Sequence, residues 1–234
     1  MNLELYALLG AGIAIGIGAI GSALGEGMIA MKAVQSLGRQ PKASDKLLRI
    51  MIIGQAVTET AAIFALVVAL ILLFKDAPDT LDKAITYVSA GIAIGFGTVG
   101  SGLGAGFAGS ACMEGIGRNP ENTDILTINM IIGQAVTQTS CIFALTVSLV
   151  LIMLTPDAGF VARFASLGGG LAMGLGALGP GIGDGLVAKN ANAAIAVDPN
   201  NAGLLTRTMI IGQAITETTD IYAMIVSLIL IFVV

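Results

Sequence analysis

Charge is scarce in this chain and histidine is absent: 11% of its 234 residues are Asp, Glu, Lys or Arg, and none is His. A soluble domain of this length needs far more polar surface to cover itself, so a water-soluble globule is excluded. There are two cysteines, Cys112 and Cys141, both inside apolar stretches. With no histidine and no metal-ligand spacing around them, they read as small buried apolar side chains. No basic patch suggests nucleic acid, and a net charge of −4 drawn from few groups says little about partners. The first apolar stretch lacks a basic segment before it and a cleavage site after it, so a retained span is expected rather than a signal peptide. Alternation of polar and apolar residues over about ten positions is missing too, which excludes the strands of a membrane β-barrel.

What is present is hydrocarbon. Hydrophobic residues make up 56% of the chain and the mean hydropathy is +0.92. The runs 50–74, 125–154 and 208–234 exceed the roughly 18–20 apolar residues that mark a membrane span. The chain also repeats itself. MIIGQAVTET begins at Met51, MIIGQAVTQT at Met130 and MIIGQAITET at Met209, 79 residues apart both times. The same offset aligns Gly25-Glu26-Gly27 with Gly104-Ala105-Gly106 and Gly183-Asp184-Gly185, and Pro41 with Pro120 and Pro199. Three units follow: 1–77, 78–156 and 157–234.

Each unit holds a Gly-rich apolar segment, a short polar loop with its proline, and a Gly-poor apolar segment. Backbone groups in lipid must satisfy one another. The expected fold is therefore an all-α membrane protein with six spans in three tandem hairpins. Each unit crosses an even number of times, so all three share one orientation, unlike an inverted-repeat transporter. The intra-hairpin loops and their flanks carry Lys32, Arg39, Lys42, Lys46, Arg49, Arg118, Lys189 and Arg207; the other side has only Lys75, Lys83 and Arg163. That bias places the loops in the cytoplasm and both termini outside. The glycines let helix backbones approach closely, either as ordinary tight packing or as a crowded inner ring of helices.

Glu59 and Glu217 fall near the middle of their spans, where a charge costs about 2.5–3.5 kcal/mol or more. Such a group is protonated, paired or holding a cation. A neutral structural carboxyl is the bland reading, weakened by recurrence and by the company kept. Gln55 and Gln213 stand four residues earlier on the same helix face, and Thr60 and Thr218 follow directly. Across each hairpin, Glu26 and Asp184 are expected at similar depth. These hard oxygens suit a small hard cation, with a shared proton plus Na+, or two protons, giving neutrality. The middle unit has Gln138 and Ala105 in place of both acids. It is expected to exchange no cation, leaving two carriers in three hairpins.

With these features in place, each repeat resembles the c subunit of F-type ATP synthases. The resemblance rests on the Gly-rich first helix, the Arg39-Gln40-Pro41 loop and Gly54-Gln55-Ala56-Val57-Thr58-Glu59-Thr60. Tandem units with lost carboxylates are also similar to archaeal and vacuolar-type proteolipids. The resemblance implies a homo-oligomeric ring, glycine helices inside and carboxylate helices outside, set in lipid. It implies ion exchange at half-channels against a stator subunit a, loops that grip a central stalk, no resident cofactor and no catalysis by the chain itself. The implied ion ligands in the third unit are Asp184, Glu217, Thr218, Thr219, Tyr222 and the Ile215 carbonyl. In the first they are Glu26, Glu59, Thr60 and the Val57 carbonyl, with departures at Ala61 and Phe64. A neighbouring hairpin completes a site in the family, so Thr139 is expected to assist one. Stalk contact is implied for Arg39, Gln40, Pro41, Arg118, Asn119 and Pro120; the third loop, Val197-Asp198-Pro199, lacks the arginine. The expected function is a Na+-coupled rotor subunit in a prokaryotic cell membrane, with H+ coupling as the alternative. A stand-alone channel or parallel-repeat transporter would instead need a water-lined path within one chain. Asp220, one turn beyond Glu217, receives no role.

Overall fold

A computed structural model describes residues 3–154 and 159–233; the expected boundary between residues 156 and 157 lies outside them. Among the described residues every regular element is a helix: α1 (Glu4–Arg39), α2 (Ser44–Phe74), α3 (Leu81–Arg118), α4 (Thr123–Thr137), α5 (Thr139–Met153), α6 (Phe160–Gly176), α7 (Leu178–Val197), α8 (Ala202–Thr216) and α9 (Thr218–Phe232). The pairs α4–α5, α6–α7 and α8–α9 each form one span, so six helical rods are long and apolar enough to cross a membrane. This is the expected all-α membrane fold.

The hairpin turns follow from their prolines. A residue before proline is pushed out of the helical region, and Gln40, Asn119 and Asp198 all leave it, with φ of −132°, −141° and −132°. A single 3₁₀ turn, Pro41–Ala43, Pro120–Asn122 or Pro199–Asn201, then starts the return helix. Proline there costs nothing, because the first amides of a helix have no internal partner.

The three Gly-rich rods lie side by side as one layer, with α3 between α1 and α6–α7. Each Gly-poor rod packs on the glycine rod of its own unit and meets its Gly-poor neighbours less closely. One layer is thus crowded and the other splayed, the geometry of an arc whose inner side is the glycine layer. Glycine is required where the backbones touch. A Cβ on Gly106 would lie 2.2 Å from Gly25 Cα, and one on Gly185 would lie 2.1 Å from Gly104 Cα. The two contacts are one contact repeated at the 79-residue offset.

Hydrophobic side chains cover the outside of the splayed layer. Ile52, Leu66 and Leu70 on α2, Ile128 and Ile142 on α4–α5, and Ile211, Ile225 and Ile229 on α8–α9 are all exposed. So large an apolar surface is stable only against lipid or another protein. The protein is a multi-pass membrane protein.

The i→i−4 ladder is disturbed where the sequence interferes with it. α6 gives way to α7 at Ala177, because Pro180 has no N–H for Gly176 O and its ring crowds that carbonyl. α8 gives way to α9 at Glu217, where the Asp220 and Ile221 amides share Glu217 O at 3.0 and 3.3 Å. Near Glu59 the Ser22 hydroxyl enters the α2 ladder. It donates to Thr58 O (3.0 Å) and accepts from Ala62 N–H (3.2 Å).

Gly106→Ala, which drives a methyl into α1, is expected to destabilise the protein by about 1–3 kcal/mol. Gly203→Ala, with open space around it, should be silent. Thermal unfolding in detergent of the two variants measures the difference.

Candidate ion-binding sites

Each Gly-poor rod carries a glutamine one turn before the position of Glu59. These amides tie the rod to its own hairpin: Gln55 Nε2 donates to Glu26 O (3.2 Å), Gln134 to Ala105 O (3.0 Å) and Gln213 to Asp184 O (3.2 Å). They also tie unit to unit. Gln134 reaches Gly54 O (3.0 Å) and Thr58 Oγ1 (3.2 Å), and Gln213 reaches Gly133 O (3.1 Å). The glutamines are scaffold, holding the carboxylate layer level across units. Gln55 and Gln213 therefore bond main-chain carbonyls of the partner helix and not the glutamates four residues away.

Within each acid pair the two groups lie in electrostatic reach of one another, Glu26 of Glu59 and Asp184 of Glu217. Burial differs between the pairs. Asp184 is fully enclosed and neither carboxyl oxygen has a hydrogen-bond partner among the described residues. The neighbouring Thr216 hydroxyl sends its proton to Gly212 O (3.0 Å). Glu59 stands exposed on α2.

The hydroxyl ligands group differently from the hairpin-by-hairpin sets. Thr139 of the second unit, not Thr218 of the third, meets Glu217: its Oγ1 is hydrogen-bonded to Glu217 Oε1 and also lies 2.7 Å from Val136 O. Thr218 bonds its own Ile215 O (2.7 Å) and Thr219 bonds Thr216 O (3.0 Å). Ile215 and Tyr222 are 67% and 63% exposed. These four residues form the open edge of the third unit. Likewise Val57 meets the second unit and Thr60 bonds its own helix: Val57 O accepts from Thr60 Oγ1 and from Gln138 Nε2 (3.0 Å). Helix periodicity puts consecutive residues about 100° apart, so a carboxylate and the hydroxyl next to it face opposite neighbours.

Counting protons separates the two enclosed sites. Between units 1 and 2, Gln138 supplies its own donor to Val57 O, and its Oε1 accepts from Cys141 Sγ (3.1 Å). No carboxyl oxygen is left over there, although Gln134 Oε1, the counterpart of Gln213 Oε1, has no partner among the described residues and the Cys141 thiol also faces Gln138 O (3.0 Å). Between units 2 and 3, the Thr139 hydroxyl has one proton for two acceptors, Val136 O and Glu217 Oε1. Both Asp184 oxygens, one Asp220 oxygen and Gln213 Oε1 add unmet acceptors. Buried acceptors in hydrocarbon are not left unmatched without cost. This junction therefore holds more buried acceptors, several of them on carboxyl groups, than donors among the described residues. Among the described residues no group of three or more acidic, Cys or His side chains forms a metal cluster.

Sequence reasoning missed Ser22, Ser101 and Ser140. Ser101 accepts from Cys141 N–H (3.1 Å) as Ser22 does from Ala62 N–H, and the 79-residue recurrence of Ser22 in Ser101 was the available signal. The stalk candidates Arg39, Gln40, Pro41, Arg118, Asn119 and Pro120 all sit at the hairpin turns. Arg118 pairs with Glu114 (2.5 Å), which also pairs with Lys32 (3.0 Å), bracing α1 against α3.

Comparison with known proteins gives three matches to one family, the C subunit of ATP synthase, over residues 9–72, 88–151 and 167–230. The second ATP synthase c subunit of Cereibacter sphaeroides is 46% identical over 75 residues, 32% of this chain and 90% of that protein. The ATP synthase c subunit of Petrotoga mobilis is 54% identical over 67 residues, 29% of this chain and 70% of that protein. The corresponding protein of Mesomycoplasma hyopneumoniae is 48% identical over 73 residues, 31% of this chain and 71% of its own length.

The pairing across units is tested by carbodiimide modification of the glutamates, read residue by residue by mass spectrometry. Thr139→Val should change the modification rate at Glu217 several-fold, in line with loss of about 1–2 kcal/mol of hydrogen bonding, and leave Glu59 unchanged. Thr60→Val should alter neither.

Proposed function

The chain belongs to the ATP synthase C-subunit family, and on that premise we propose that it is a rotor subunit that carries Na+ on Glu59 and Glu217 and nothing on Gln138. The reading is supported most by the proton count: the Glu217 site holds carboxyl oxygens without donors, whereas the Gln138 site holds no acid and bonds Val57 O with its own amide. A carboxylate, a hydroxyl and a main-chain carbonyl are hard oxygens of the kind that hold Na+. A proton on Glu217 would satisfy the same pair, and that outcome is kept as the second reading.

Glu59 faces the open edge of unit 1 and finds its missing ligands in another copy. The step that carries unit 1 onto unit 2, and unit 2 onto unit 3, carries Thr218 and Ile215 O of one chain onto Glu59 of the next. The same step supplies Gly212 O to Gln55. It also closes glycines that are open in the single chain: nothing lies within 4 Å of a Cβ at Gly12 or Gly27, whereas their counterparts Gly91 and Gly106 press on α1. Copies of the chain therefore assemble head to tail into a ring, glycine helices inward.

In such a ring a loaded site is neutral and passes through lipid. An emptied one is an anion, costly in hydrocarbon, and stays beside a counter-charge on a stator subunit a. Rotation is thereby tied to loading, and the chain performs no covalent step. The basic hairpin loops face the cytoplasm, where they engage the central stalk through Arg39-Gln40-Pro41 and Arg118-Asn119-Pro120; both termini lie outside the cell membrane of a prokaryote. Each ion is worth about 2.3 kcal/mol per 100 mV. Two ions per three hairpins supply less work per turn for synthesis and favour ATP-driven export against a steep gradient.

Carbodiimide should modify Glu59 and Glu217 in the purified ring, and Na+ should slow both at neutral pH. A response to pH alone makes the ring a proton rotor; modification that neither ion slows contradicts ion carriage. In the second test, Gly27→Ile should leave the single chain folded and prevent ring closure, seen as loss of the high-mass species in detergent.

A further inference from the structure

The layer just past Glu217 is built differently in the third unit. In units 1 and 2 a serine of the inner helix braces the outer one: Ser22 bonds Thr58 O and Ala62 N–H, and Ser101 bonds Cys141 N–H. The 79-residue offset puts Pro180 at that position in unit 3. Proline has no hydroxyl, and the Asp220 amide turns to Glu217 O instead (3.0 Å). The outer helix has lost its radial strut at the turn that carries the ion carboxylate.

In the same layer a lateral bond appears. The Ser140 hydroxyl is hydrogen-bonded to Asp220 Oδ2, and both side chains are fully enclosed. Between units 1 and 2 the corresponding positions are Ala61 and Cys141, and at the open edges they are Thr219 and Ala62; neither pair can form it. Ser140 follows Thr139, the residue whose hydroxyl meets Glu217, and Asp220 stands one turn beyond Glu217. The lateral bond therefore joins the two short segments that bring Thr139 and Glu217 together. Asp220 also carries a partnerless, buried Oδ1, a cost that a purely apolar residue would avoid.

We propose that Asp220 is a positioning residue for the Glu217 cation site: clamped to Ser140, it replaces the missing radial strut and holds the Thr139 hydroxyl against Glu217 Oε1. This rests on Glu217 being an exchanging carboxylate. The groups that face Glu217 are Thr139 from α5, Asp184 from α7 and Asp220 from α9. Glu59 has none of this construction and serves as a reference within the same chain.

The experiment uses the assembled ring and reads the Na+ concentration that halves carbodiimide modification, separately at Glu217 and Glu59. Asp220→Ala and Ser140→Ala should each raise the Glu217 midpoint about tenfold, as loss of a residue that orients a metal ligand does, and leave Glu59 in place. The double variant should add little to either single one. Asp220→Asn keeps an acceptor for Ser140 and should stay near the native midpoint. If Na+ protects neither glutamate in the native ring, the Na+ reading fails alone, and the same comparison is made with H+ as the protecting cation. The proposal is overturned if Ser140→Ala leaves the Glu217 midpoint unmoved. It is equally overturned if Glu59 shifts in step, which marks general loosening, or if Asp220→Asn behaves as Asp220→Ala, which marks a direct effect of charge.

Discussion

Hydrocarbon supplies no hydrogen-bond donors, and that constraint organises this protein. Every oxygen placed in the middle of a span must be matched by a proton or cation from the protein or its cargo. Gln138 meets part of the demand internally, its amide donating to Val57 O. The Glu217 site does not, because Thr139 has one proton for two acceptors and Asp184 has no donor at all among the described residues. The same backbone arrangement, repeated at 79-residue steps, thus carries an internal amide donor in one place and unmatched carboxyl oxygens in another.

The crowded glycine layer serves that difference. Contacts such as Gly106 on Gly25 Cα bring helices close enough to set the curvature of the arc, and curvature decides which residue faces which neighbour. The scaffold glutamines then hold adjacent outer rods level, Gln134 on Gly54 O and Gln213 on Gly133 O. Chemistry at the ion layer is therefore a property of the junction between units. It belongs to no single hairpin.

The gap-free recurrence of MIIGQA and of the prolines made the three hairpins, their turns and the buried acids legible in the sequence. It made the loss of both acids in the middle unit legible as well. Ligand grouping was not legible from spacing alone: Thr60 and Thr218 follow their glutamates directly, yet face the opposite neighbour. The side on which each unit meets the next depends on backbone packing between rods far apart in sequence. Serines were passed over because a hydroxyl in an apolar helix commonly bonds its own preceding turn, and the insertion of Ser22 into the ladder of α2 depends on the partner rod. Asp220 had no reading until Ser140 was found against it and Pro180 was seen to remove the strut behind it.

The number of Na+ ions held tightly by each chain of the purified ring, measured with radioactive tracer at neutral pH, tests the central claim most directly. The account gives two per chain, one lost with Glu59→Gln and the other with Glu217→Gln. Three ions per chain, or any ion retained when both glutamates are replaced, would contradict it.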